Sequence, residues 1–392
     1  KRQALNPDGV FTVSRWYNPQ DLNETGRMIG LATAALLDMG ITDARPHLYV
    51  ARADHIATLV LRKRPFTPEE LAILDKEVAW LGFDVLLSPN QAPASPLLAA
   101  MVAAPSIAAI DALAAQAPLD LSVPTDRRPF FFNQLRFSQI PSAMRRVLSG
   151  EHFGGVLQGN LLASAALMMI LLLSLVAVLL TIVLPLRRAA QGHAPALITA
   201  GSLYFALIGT GFMLAEIALL QWFGVYLGHP IYSLGVCLFS LILATGCGSL
   251  LSGIWLLESA RRFVIWGVLL LVVLLGLEQG LPQVFARTQA EPLLLRALVA
   301  LAVLLPLGLL LGFAFPTGMR LVALINAEPA PWFWGINGAT AVLASVLAVM
   351  VSMAFGIDVT LLLSAACYLL LLPTALALMR LTQGSNSSPA IA

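Results

Sequence analysis

Glu216 is a carboxylate inside a long apolar stretch, GTGFMLAEIALLQWFGVYLGHPIYS, with Gln221 five residues on and His229 just past its end. A charge at the centre of a bilayer costs about 2.5–3.5 kcal/mol on insertion scales, so it is rare without a partner or a task. On a helix the two polar side chains stand about 140° apart, so one can face the interior and the other a neighbouring helix. Two chemistries fit: a polar cluster for a substrate, proton or partner, or a hydrogen-bonded carboxyl that fixes helix packing. His229, in the tight bend Gly228-His229-Pro230, has no second ligand at metal-binding spacing and reads as a residue of an interfacial loop. Asn337 opens a later apolar stretch, where its amide can bridge helices. Arg320 follows Gly312, Pro316 and Gly318, a break whose freed carbonyls need partners; it is expected to face a headgroup or the bundle. Trp16 and Tyr17 end a strand, and open α/β sheets place ligands at that carboxyl edge. They can stack on a substrate or plug a domain linker.

The elements that must hold these residues divide the chain in two. Of the 21 acids 14 precede residue 150, as do 15 of the 23 bases, so the first 150 residues have ordinary polarity and the rest do not. With a mean hydropathy of +0.84 and only 11% charged residues, this is an integral membrane protein whose first partner is the lipid bilayer. A net charge of +2 argues against a nucleic-acid partner. The three cysteines all lie in apolar stretches and read as small hydrophobes, not as metal ligands. Seven spans are legible, at about 160–185, 196–222, 230–256, 263–280, 293–315, 332–355 and 358–379, with Glu278 and Gly280 ending the fourth early. Small residues four apart (Ala244 and Gly248, Ser249 and Gly253, Gly308 and Gly312, Ala341 and Ser345) predict close helix packing. Trp332 and Trp334 fit an aromatic belt. Seven spans put Arg187, Arg188, Arg261, Arg262, Arg320 and Arg380 on one side, against Arg287 and Arg296 on the other. Arg145 and Arg146, before the first span, oppose that bias, so charge leaves the side of the soluble segment open.

In the soluble segment the spacing predicts a strand over Val10 to Val13 and a helix from Asp21-Leu-Asn-Glu24 to Gly40. Two strands follow, His47 to Ala51 and Ile56 to Leu61, then a helix from Thr67 to Leu81 and a strand over Phe83 to Leu87. That order suits the closing portion of an α/β domain, and a chain opening at Lys1 on a helix end is expected to be the later part of a longer one. Residues 88–125 carry six prolines and read as irregular, with one short helix around Ile107 to Ala115. The stretch PTDRRPFFFNQLRF, Pro124 to Phe137, reads as an interfacial anchor or a linker docked on the sheet.

At ALNPDGVFTVSRWY, PTDRRPFFFNQLRF, GTGFMLAEIALLQWFGVYLGHPIYSLGVCLFSLILATGCGSLLSG, GFAFPTGMRL and PWFWGINGATAVLASVLAVMVSMAFG the sequence resembles the membrane-integrated spermidine synthase-like proteins. The resemblance covers nearly the whole chain. It implies about seven transmembrane helices preceded by a partial Rossmann-type, methyltransferase-like α/β domain. Residues 1–90 would be the end of that domain, 91–150 a linker with an amphipathic Phe/Arg segment, and 151–392 the helical bundle. It further implies a multi-pass protein of the bacterial inner membrane, transferring an aminopropyl or methyl group with an S-adenosylmethionine-type cofactor, and adds Asp126 to Trp16 and Tyr17 as a substrate-binding candidate. Two departures count against direct transfer of that activity. Arg127 stands where the family usually has a second acid after Asp126, and no glycine-rich turn after a strand occurs in the chain. The cofactor half would then lie in a missing N-terminal part. The alternatives are a non-catalytic subunit of a larger membrane complex and a transporter, the latter disfavoured by the lack of an inverted repeat.

Overall fold

The computed structural model describes residues 6, 8–19, 22–134, 136, 139, 141, 145, 149 and 155–386; Lys1, Asp21, Phe137 and Arg146 lie outside the described residues. The chain divides into two compact units, Lys1–Thr125 with Pro129–Ala166, and Asp126–Arg128 with Leu167–Ala392.

The first unit is built on β1 (Val10–Trp16), α1 (Asn23–Asp38), β2 (Leu48–Ala53), β3 (Ile56–Arg62), α2 (Pro68–Trp80) and β4 (Asp84–Leu87). The strands form one sheet in the order β1-β3-β2-β4, and each neighbouring pair is antiparallel. A doubly wound sheet would set neighbours parallel, so the expected Rossmann-type pattern is not what these four strands show. The cause is local: β2 turns straight back into β3 through Asp54 and His55, with Asp54 in the left-handed conformation (φ 51°) that tight hairpins require. Because β1 and β2 both run against β3, they are parallel to each other and joined by α1, a split βαβ crossover. β3 and β4 stand in the same relation about β2, joined by α2. Strand alternation then sends Leu48, Val50, Leu59 and Leu61 to the α1 face, and Tyr49, Ala51 and Val60 to the α2 face.

Local signals explain most boundaries. Thr67 and Glu70 form a reciprocal capping box with Pro68 in the first turn of α2. The start of α1 is less regular: it begins at Asn23 without a side-chain cap, with Leu22 and Asn23 both left-handed. Residues 88–125 hold two helices where one was expected. The addition is α3 (Pro96–Val102), whose cap Ser95 accepts the Leu98 N–H; α4 (Ile107–Gln116) is capped likewise by Ser106. Both pack on α1, Leu98 and Val102 beside Leu36 and Ile110 beside Ala34.

Among the described residues seven helices are long and apolar enough to cross a membrane, all but the start of the first lying in the second unit, the organisation of an integral multi-pass membrane protein. The first span is α5, Gly155–Val178 continued by a π turn, Leu179–Val183, and by Leu184–Ala190. It is followed by α6 (Pro195–Leu227), α7 (Pro230–Leu251), α8 (Ala260–Thr288), α9 (Leu293–Gly312) with its continuation α10 (Ala314–Ala323), α11 (Ala330–Phe355) and α12 (Ile357–Asn386). Several span ends differ from the sequence reading, with α6 running to Leu227 and α12 to Asn386. α7 stops at Leu251, and α8 runs unbroken to Thr288, burying Glu278 instead of ending at it. Helix α6 is central, packed on α11 and α12, while α7 packs along α9. At that last contact Gly308 faces Ala244, and Gly312 faces Thr245 and Gly248. The expected small pairs of two helices therefore meet each other, letting backbones approach closely.

Candidate functional site

At the carboxyl end of β1 the first unit opens a cleft of about 300 Å³ lined by Ser14, Arg15, Trp16, Glu24, Ile56 and Phe132. Its geometry follows from the β1-to-α1 connection. Thr25 Oγ1 donates to the Trp16 carbonyl at 2.8 Å, and the Glu24 carboxylate accepts a backbone hydrogen bond from Trp16. The first turn of α1 thus holds both peptide groups of Trp16, whose indole stays 50% exposed while Glu24 is 5% exposed. Burial raises the Glu24 carboxyl above its ordinary range, opposed by the hydrogen bond from Trp16 and by the charge of Arg15. Phe132, 60% exposed, supplies a second aromatic wall, and the Arg15 guanidinium lies 5.8 Å from its ring centre. An aromatic wall beside a carboxylate is suited to a cationic amine.

Tyr17, paired with Trp16 in the sequence reading, has a different place. It is buried in the core of the α1 face, with the Arg52 guanidinium 5.7 Å from its ring. Asp126 is exposed in a turn and belongs to the second unit, not to the cleft. Its neighbours are anchored there: the Arg127 carbonyl accepts the Ile357 N–H at 2.9 Å, Arg127 pairs with Asp358 at 3.4 Å, and Arg128 Nε donates to the Met353 carbonyl. The base that departs from the family pattern thus has its own acidic partner.

Sequence reasoning missed Glu24 as a cleft residue and Arg27 as the organiser behind it. Arg27 is 3% exposed; its Nη1 donates to the carbonyls of Phe130, Phe131 and Asn133, and its Nη2 lies 3.4 Å from Asp120. The Phe130–Asn133 turn therefore wraps a buried cation, which places Phe132 at the cleft. The one sequence signal was an arginine within the apolar run of α1.

The intramembrane candidates do not form one cluster. Glu216 is half-buried on α6, toward Cys237 of α7, and takes no hydrogen bond or ion pair among the described residues. Gln221 Oε1 is buried without a hydrogen-bond partner among the described residues. His229 is exposed and caps α7, its Nδ1 accepting the Ile231 N–H at 3.3 Å. Asn337 donates from Nδ2 to the Phe205 carbonyl at 3.1 Å, bridging α11 to α6. Arg320 faces protein, 3.4 Å from Glu258, and donates to Ser252 and Thr317. At the break between α9 and α10 the indole of Trp266 donates to the Leu310 carbonyl and Tyr204 to the Ala314 carbonyl, two partners unseen in sequence. Arg296 likewise donates to the Tyr226 carbonyl at the end of α6.

No protein-family model, curated protein or solved structure matches this chain.

Proposed function

We propose that the chain is the membrane-anchoring and substrate-side part of a spermidine synthase-like transferase, and that its soluble unit binds an amine in the cleft beside Trp16. The observation that carries this reading is the pairing of the buried Glu24 carboxylate with the exposed Trp16 and Phe132 rings at the carboxyl end of β1. An ammonium group would donate a charge-assisted hydrogen bond to the Glu24 carboxylate, and the methylene chain would lie on the rings. Arg15 at the rim sets a limit: it repels a second positive charge near Glu24, so one end of a diamine enters and the other stays outside.

The S-adenosylmethionine-type cofactor that the resemblance implies is not accommodated by the β1-to-α1 connection. Residues 17–22 contain no glycine, and Asn23 to Gly26 are buried under the chain's own side chains. A second reading is a non-catalytic membrane subunit that kept the amine cleft. Both readings require amine binding, and equilibrium dialysis of the purified full chain against labelled 1,4-diaminobutane tests it. Saturable binding weakened at least about tenfold by Glu24→Gln is expected, the loss of a hydrogen bond to a charged group. Absence of binding, or equal binding by the variant, would overturn the proposal.

A further inference from the structure

On the bilayer face of the second unit, a groove of about 720 Å³ runs between the end of the first span and the start of α11, lined by Ile182, Leu186, Pro331, Trp334, Gly335 and Gly338. Its walls are almost wholly apolar, as the hydrocarbon around a spanning helix demands. Between Ala330 and Gly338 the helix rises about 12 Å, most of the roughly 15 Å of hydrocarbon in one leaflet. Two devices shape it. Gly335 lets Leu186 approach α11 closely, whereas a side chain at Gly338 would meet nothing within 4 Å, so Gly338 leaves the floor open. The π turn at Leu179–Val183 displaces the wall that carries Ile182 just before Pro185.

One end of the groove is basic. Arg187 and Arg188 directly follow the lining residue Leu186, are exposed, and have no side-chain hydrogen bond or ion pair among the described residues. The acid near this end in sequence, Glu328, lies 3.8 Å from His193 and is 77% exposed. An apolar channel one leaflet long that ends in two uncompensated cations fits one kind of occupant, a phospholipid with a net negative headgroup. We propose that this groove is a binding site for an anionic phospholipid, with an acyl chain against Trp334 and Gly338 and the headgroup phosphate at Arg187 and Arg188. The exposed ring of Trp334 then lies along the chain.

The test uses the full chain in phosphatidylcholine vesicles containing a minor fraction of brominated lipid, taking the Trp334 signal as the difference between parent and Trp334→Phe. Brominated phosphatidylglycerol is expected to quench Trp334 at a mole fraction lower by up to about 25-fold than brominated phosphatidylcholine, roughly fivefold for each of the two arginines. Arg187→Gln with Arg188→Gln should remove the preference while leaving quenching by phosphatidylcholine. Gly338→Leu, which has room for its side chain, should weaken quenching by both lipids. Equal quenching of the parent by both lipids would overturn the proposal, as would a preference that survives loss of both arginines.

Discussion

At the scale of single residues, the soluble unit is organised by charges set at different depths. Glu70 lies near the surface, accepting the Thr67 N–H and pairing with Arg62 and Arg64. Those partners hold its carboxyl down to about 2, the hydrogen bond from Arg64 first. A depressed acid contributes stability that is present above its unfolded value, about 4.3, and is lost as pH falls toward about 2. Unfolding midpoints measured from pH 5 to pH 2 should therefore fall less steeply in Glu70→Gln than in the parent; parallel curves would show that the pairs do not survive in solution. Glu24 has the opposite sign. Its raised carboxyl favours the fold at low pH and opposes it as pH rises through the raised value, a cost partly offset by the hydrogen bond from Trp16 and the charge of Arg15. Of these residues, Glu70 lies in a helix start that was legible in sequence at Thr67, although its reciprocal cap with Thr67 was not read there. The roles of Glu24 and Arg27 were not legible: they depend on Trp16 and on carbonyls more than 100 residues away.

At the scale of elements, close approach of backbones does the work in the bundle. A side chain at Gly248 would run into the backbone of Leu309, whereas one at Gly246, two residues earlier, would meet nothing within 4 Å. Gly248→Leu should therefore cost about 1–3 kcal/mol through overpacking, read as a lower unfolding midpoint in detergent, and Gly246→Leu should not. Equal effects would mean that α7 and α9 do not pack along this seam. The seam was readable from spacing alone, since residues four apart share a helix face. The end of α8 was not, because Glu278 reads as a terminator until its burial is known. In the sheet, strand positions were visible from alternation, but pairing direction was set by the short Asp54-His55 turn. Composition and alternation alone do not say which strand lies between which.

At the scale of the whole molecule, charge is concentrated before residue 150 and the long apolar helices follow it. Seven spans place the loop after α5 and the end of α12 on one side of the bilayer, since six crossings separate them. Single cysteines at Ala190 and Gln383, in a background with Cys237, Cys247 and Cys367 replaced by serine, should react with a membrane-impermeant reagent from the same side; opposite reactivity would remove one span. The functional proposal, by contrast, rests on a small cleft that neither composition nor periodicity reveals. It makes one thermodynamic demand. If an ammonium group binds to Glu24, the carboxyl must ionise, and because burial raises it, binding in mildly acidic solution must release a proton. Calorimetric titration of 1,4-diaminobutane into the full chain, in buffers of differing ionisation enthalpy, measures that release. The account predicts a binding heat that varies with the buffer in the parent, and in Glu24→Gln binding weakened at least about tenfold with no proton release. A parent that gives no binding heat, or a variant with the same buffer dependence, would contradict it.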